Sequence, residues 1–282
     1  MPAISTAAAI LKRNGLVVSP NKRRKPGHPG PPQRPMDEPN SVWCGEFKLG
    51  TGHYCYPLTV TDGFSRYLLE CKGLVSTATD TTQAAFSRLF HEFGLPYYIR
   101  SDNGTPFAST AIARLSRLSV WWIKLGVYPD LTQPGKPQQN GRHERMHRTL
   151  KAETTKPPAH SMWLQQERFD RFIAEYNDER PHEALGQQTP WDLYRASDRQ
   201  MPSRIPAIEY PDHWEVRRVS TAGHFRWKNR HINLSHVLET EYIGLHEVDY
   251  GIWAVHFGPV ELGWLNEKTM KVEDKMGRST RK

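Results

Sequence analysis

Apolar positions first cluster in three short runs, Val42 to Leu49, Tyr56 to Thr61 and Arg66 to Leu74, whose lengths predict strands. Between the last two, Asp62-Gly63 is a hairpin turn signal. From Thr79 to Phe93 the spacing becomes helical: Ala84, Ala85, Phe86, Leu89, Phe90 and Phe93 fall on or near one face, and Gly94 stops the run. Tyr97 to Arg100 predicts a fourth strand ending at Asp102-Asn103-Gly104, followed by a helix over Thr110 to Leu118 and a fifth strand near Lys124 to Tyr128. The order is βββαβαβ. Pro129 to Asn140 is a loop, and Gly141 to Glu153 is a charged helix that ends before Pro157-Pro158. Trp163 to Asn177 predicts a further helix that turns Leu164, Phe169, Phe172, Ile173 and Tyr176 to a core. Trp121, Trp122 and Trp163 read as packing aromatics. Beyond Pro202 the pattern changes to short alternating strands at Val216 to Val219, Phe225 to Trp227, Tyr242 to Val248, Trp253 to Phe257 and Leu262 to Leu265, the texture of a small barrel or sandwich.

The opening of the chain differs. Ser5 to Gly15 reads as one short helix, and a helix of that length is marginal alone, so it fits the closing helix of a larger unit. Ser19 to Asn40 is rich in Pro, Gly and bases and forms an extended linker. Residues 1–35 hold seven Lys and Arg and no acid, which leaves 31 bases against 30 acids elsewhere, so the net charge of +8 is an N-terminal property. Such an arm suits a polyanion, with Lys22, Arg23, Arg24 and Lys25 as phosphate contacts. A mean hydropathy of −0.69 argues against a membrane protein. Ala7 to Leu11 is too short for a secretory core. Cys44, Cys55 and Cys71 match no zinc spacing and are odd in number, which predicts reduced thiols and no zinc.

Three acids sit where element ends converge: Glu46 in the first strand, Asp102 after the fourth and Glu144 in the first turn of the charged helix. Around them stand Trp43-Cys44-Gly45-Glu46-Phe47-Lys48, Ser101-Asp102-Asn103-Gly104 and Pro137-Gln138-Gln139-Asn140-Gly141-Arg142-His143-Glu144. Leu58 to Tyr67, Arg145 to Lys151 and Tyr176 to Gly186 extend the pattern. From Trp43 through Tyr194 the chain resembles the integrase catalytic cores of bacterial insertion-sequence transposases, in the retroviral-integrase superfamily.

That resemblance implies an α/β fold, an RNase H-like five-stranded mixed sheet flanked by helices, followed by a small all-β barrel domain. It divides the chain into a helix-turn-helix remnant (1–18), a basic linker (19–40), the catalytic core (41–200) and a Src-homology-type barrel with a basic tail that touches DNA (201–282). It implies a polynucleotidyl transferase for DNA transposition, in which Glu46, Asp102 and Glu144 hold two Mg²⁺ or Mn²⁺ ions for phosphodiester hydrolysis and strand transfer. Two metals clamp attacking and leaving oxygens, and hard cations take oxygen ligands. Asp102 and Glu144 match the second and third acids, with 41 residues between them. The first departs: the family carries Asp where Glu46 stands, and one methylene displaces the carboxylate by about a bond length, where about 1 Å of misplacement costs about 10²-fold in rate.

Asp62 has a sufficient job in its turn. On the charged helix Glu144, His147, Arg148 and Lys151 share one face, a ligand followed by cations suited to a DNA backbone. Lys136 and Arg142 join the expected DNA contacts, as do Arg217, Arg218, Arg226, Trp227, Lys228, Arg230 and His231 of the C-terminal strands. Element ends and target DNA are the implied partners, bound by a homo-multimer in the bacterial cytoplasm, nucleoid-associated when on DNA, with no membrane contact. The alternative is a catalytically inactive DNA-binding remnant, which the short N-terminus and Glu46 favour.

Overall fold

The structure, a computed structural model, describes residues 34–47, 55–133 and 137–274. The expected N-terminal helix, Lys22, Arg23, Arg24, Lys25, Lys136 and the tail from 275 lie outside the described residues.

A five-stranded mixed sheet forms first, from β1 (Val42–Phe47), β2 (Tyr56–Asp62), β3 (Leu68–Leu74), β4 (Tyr98–Ser101) and β5 (Tyr128–Leu131), in the order β3-β2-β1-β4-β5. The hairpins run antiparallel, while β1 lies parallel to β4 and β4 to β5. Strand alternation then divides the β1 side chains. Trp43 joins Phe86 and Phe90 of α1 (Thr79–Phe93) and Trp122 of α2 (Arg117–Lys124) in one core. Cys44 and Glu46 take the opposite face with Thr61 and Thr59, their register partners on β2. That face is covered by α3 (Gly141–Thr154) and α4 (Met162–Ala174), through Met146, Leu150, Phe169 and Phe172 packed on Leu68 and Cys71. The RNase H-like sheet expected from the sequence is present. A short α5 (Pro190–Leu193) follows, capped by Thr189 and Asp192.

Several boundaries differ from the sequence expectation, each for a local reason. The helix expected at Thr110 is a single 3-10 turn at Ile112–Arg114, because Ala113 and Arg114 take positive φ (50° and 59°). A capping box of Ser116 and Ser119 starts α2 afresh, and the fifth strand moves to Tyr128. After α4 the chain widens into a π-turn at Glu175–Glu179. Trp122 is fully buried and Trp121 packs against the same core, but Trp163, expected inside, is 68% exposed on α4. The free cysteines fit the reduced-thiol reading, with Cys44 and Cys71 buried.

The C-terminal strands form an order β12-β11-β10-β9-β6 from β6 (Glu215–Arg218), β9 (Tyr242–Asp249), β10 (Ile252–Phe257), β11 (Val260–Asn266) and β12 (Lys271–Glu273). The hairpin β7 (His224–Trp227) and β8 (Arg230–Asn233) spans the gap: Val219 bridges Phe225, and β8 lies against β12. The result is a small barrel. Its interior is continuous with the first unit, because Ile112, Leu115, Val120 and Ile123 enter the same apolar cluster as Phe225, Val255 and Phe257. Among the described residues no helix is long and apolar enough to cross a membrane.

Candidate metal and nucleic-acid site

Parallel pairing of β1 and β4 brings two of the three acids to one end of the sheet. Gly45 stands opposite Ser101, so Asp102, the next residue, follows beside Glu46. Glu46 is half-buried and Asp102 exposed. Asp102 Oδ1 accepts the Gly104 N–H at 3.0 Å, and Asn103 Nδ2 donates to the Thr132 carbonyl at 2.7 Å, which ties the turn to β5. The third acid arrives with α3. Asn140, just before its first turn, donates from Nδ2 to Glu46 Oε2 at 3.1 Å, and exposed Glu144 lies one helical turn onward.

Beneath Glu46 lies a polar network that the sequence reading did not single out. Thr59 Oγ1 donates to the Glu46 carbonyl at 3.2 Å and lies 2.9 Å from His143 Nε2 and 2.6 Å from His147 Nε2. A hydroxyl has one proton, so with that proton on the carbonyl both Nε2 atoms carry hydrogen and donate to Thr59. His143 Nδ1 then accepts from Thr61 Oγ1 at 2.8 Å. His147 Nδ1 faces Glu46 Oε2 at 3.8 Å. Both histidines are buried, stacked edge to face with centroids 4.4 Å apart. The available signal was the His143-x-x-x-His147 spacing on one helix face opposite alternate threonines of a strand.

Among the described residues, the group whose ligand atoms all lie within 4.8 Å of one another is Glu46, His143 and His147. Glu46, Asp102 and Glu144 surround the same end of the sheet without closing to that separation. The expected cationic stripe is divided as well: Glu144, Arg148 and Lys151 are exposed, but His147 turns inward and is 2% exposed, so it is corrected from a DNA contact to a partner of Thr59 and Glu46. Arg142 is exposed and donates to the Gly63 carbonyl at 2.7 Å, fastening α3 to the hairpin.

That hairpin explains Asp62. Its Oδ1 accepts from the Ser65 N–H (2.7 Å) and hydroxyl (2.6 Å), and Oδ2 accepts the Asn40 N–H (2.7 Å), the turn role read from Asp-Gly. Burial pushes its carboxyl up from the usual range. Gly63 is required, since a Cβ there would stand 2.7 Å from the Val42 carbonyl. Beside Asn140, Cys44 and Arg100 line a cavity of about 310 Å³. Burial lifts the Cys44 thiol to about 12, so it is protonated near neutrality and no nucleophile.

Known proteins resemble this chain mainly over its first unit. Models of the integrase core domain match residues 36–137 and 125–190. The Gag-Pol polyprotein of Baboon endogenous virus (strain M7) is 32% identical over 123 residues, 43% of this chain and 7% of that protein. The Pol polyprotein of Radiation murine leukemia virus (strain Kaplan) is 32% identical over 111 residues, 39% of this chain and 18% of that protein. The chain thus spans less than a fifth of the length of these relatives. Among solved structures, the HTLV-2 integrase catalytic core domain in complex with magnesium has 17% identity and a TM-score of 0.45, covering 56% of this chain and 98% of that one. A simian T-cell lymphotropic virus intasome in complex with PP2A regulatory subunit B56 gamma has 16% identity and a TM-score of 0.48, covering 92% and 90%. With its mixed sheet and the two overlapping family matches, the segment from 36 to 190 is a catalytic core of the retroviral-integrase superfamily.

Proposed function

We propose that the chain is a transposase or integrase-type polynucleotidyl transferase that acts on DNA ends and joins them to target DNA. The observation that carries this reading is the register of Glu46 beside Asp102, with Glu144 one helical turn past the Asn140 that touches Glu46. These carboxylates would hold the divalent cations, and they fit in donor chemistry: all three offer hard oxygen atoms from elements that meet at one end of the sheet. A bound Mg²⁺ or Mn²⁺ pair would supply Lewis-acid stabilisation of the phosphodiester oxygens. The chain's own part is orientation. Asn140 and the His147–Thr59 pair hold Glu46, Gly104 holds Asp102, and Arg148 and Lys151 offer exposed cations to backbone phosphates. The barrel is a second DNA-contacting surface in this reading, and the working form is a homo-multimer on DNA.

A second reading, an inactive DNA-binding relative, is favoured by one observation: Glu46 groups within 4.8 Å with His143 and His147, not with the other two acids. Strand transfer on preprocessed DNA ends with Mg²⁺ or Mn²⁺ decides between them. Activity in the native chain, lost in Asp102→Asn, supports the enzyme with Glu46 as a working ligand. Activity only in Glu46→Asp supports the decayed enzyme, and inactivity of all three chains with intact DNA binding sinks the catalytic reading of this chain.

A further inference from the structure

On the side of α3 turned away from Glu144, Arg142, Arg145 and Thr149 line a cavity of about 460 Å³ whose far wall is Tyr176, Arg180 and His182. Arg66 reaches in from the β2–β3 hairpin, where it holds a positive φ of 65°. None of this belongs to the carboxylate site.

The charges in this cavity are unbalanced. Arg180 is matched, at 2.9 Å from Glu153 and 2.7 Å from Glu175. Arg66, Arg142 and Arg145 have no carboxylate within ion-pairing distance among the described residues, and Glu183, the acid in the wall, pairs with none of them. Burial, together with the neighbouring Arg142 and Arg145 guanidinia, holds Arg66 below its ordinary value. Two polar atoms here are also buried without a hydrogen-bond partner, Arg66 Nε and His182 Nε2. A native fold rarely leaves such atoms unsatisfied unless something outside the chain completes them.

We propose that this cavity is a phosphate-binding subsite, occupied by a backbone phosphate of bound DNA and held by Arg66, Arg142 and Arg145, with His182 as a fourth donor once its imidazole is protonated. It rests on the reading of the chain as a DNA-acting protein and adds a contact on the flank of α3 opposite the acids. A phosphate matches the site because several guanidinia line the same cavity, and its oxygens accept several charge-assisted hydrogen bonds at once. A chain of phosphates also explains why the site is open and not a closed cage: the strand enters and leaves it.

The test uses the full chain in metal-free buffer with chelator, so that it is independent of catalysis. Binding of a short blunt DNA duplex is followed by anisotropy across salt concentrations, and binding of inorganic pyrophosphate by calorimetry. The variant is Arg145→Gln, at a position on α3 whose side chain makes no hydrogen bond among the described residues, with Arg66→Gln as a second. Each is expected to lower the slope of log affinity against log salt by up to about 0.9, the value of one whole phosphate contact, and to weaken pyrophosphate about tenfold or more. Arg145→Lys should recover the charge but only part of the affinity. Wild-type slope and pyrophosphate affinity in both variants overturn the subsite. Pyrophosphate weakened with the DNA slope unchanged overturns DNA as the source of the phosphate. A native chain that binds no DNA overturns the functional reading and that source together, while the pyrophosphate arm still decides whether the cavity takes the anion.

Discussion

The barrel and the flank of α3 both carry several arginines, yet they arrange them in opposite ways. In the barrel Arg217 lies 2.6 Å from Glu215 and over the Trp227 ring, and Lys228 lies 2.8 Å from Glu267. Arg226 and Arg230 stand singly on an exposed hairpin. Around α3, Arg66, Arg142 and Arg145 line one concavity, and among the described residues none of them forms an ion pair, Glu183 in the same wall included. A paired cation is partly neutralised by its own carboxylate, whereas unpaired guanidinia lining one concavity raise the local field where a polyanion can settle. Position in the fold, more than the number of bases, thus separates surface from site.

The acids of the core give the sharpest contrast with both. Asp102→Asn should lower strand transfer by several kcal/mol of transition-state stabilisation, on the order of 10³-fold. DNA affinity in metal-free buffer should not fall, since the substitution removes a negative charge that would repel the phosphates. Equal loss of both in an anisotropy and strand-transfer comparison would show that the two functions are not spatially divided.

The barrel is fastened to the core by apolar packing as well as by Arg117–Glu239 and Lys124–Glu241. Ile123 is 4% exposed at that junction and would be the nearest neighbour of a Cβ at Gly258, at 3.4 Å. Ile123→Ala should cost about 2 to 5 kcal/mol, the usual cost of emptying such a site. Urea unfolding read by tryptophan fluorescence should remain one transition; a separate barrel transition would make the barrel an independent module.

Much of this was legible in the sequence because it follows from short-range chemistry. The alternating apolar residues of β1 to β3 and the Asp-Gly turn predicted the sheet, and the motif strings singled out Glu46, Asp102 and Glu144 as candidates. What escaped depends on partners far apart in sequence. His147 looked like part of an exposed stripe because helical spacing assigns a face but not its cover, and the cover is Thr59, 88 residues earlier. Trp163 looked like core because a large aromatic on an amphipathic helix normally is, yet Phe169 and Phe172 fill that interface. The arginine cavity is assembled from a hairpin, a helix and a π-turn, so no single stretch announced it.

Salt dependence places the two cation sets on one scale. Removing both barrel arginines, Arg226→Gln with Arg230→Gln, should lower the log–log slope by less than the about 0.9 expected for one phosphate contact. A larger drop than that of Arg145→Gln would move the main backbone contact to the barrel and reverse the comparison.

His182 offers the finest test, through protons. Burial and the Arg66 and Arg180 guanidinia hold its pKa below the ordinary value of about 6.5, against a hydrogen bond at the Tyr176 backbone that raises it. With a depressed folded value, the unfolded chain binds more protons in the interval between the two values. Stability is therefore full above about pH 6.5 and declines as pH falls toward the folded pKa. An anion seated among Arg66, Arg142 and Arg145 stabilises the imidazolium and must raise that pKa, and by linkage its own binding tightens as His182 takes up a proton. Sulfate is the suitable probe, since it stays fully ionised across this range. An NMR titration of His182 should shift upward on saturation with sulfate, and Arg145→Gln should abolish the shift. A titration indifferent to sulfate in the native chain would mean that no anion approaches His182, and the cavity would then be a cationic surface like that of the barrel.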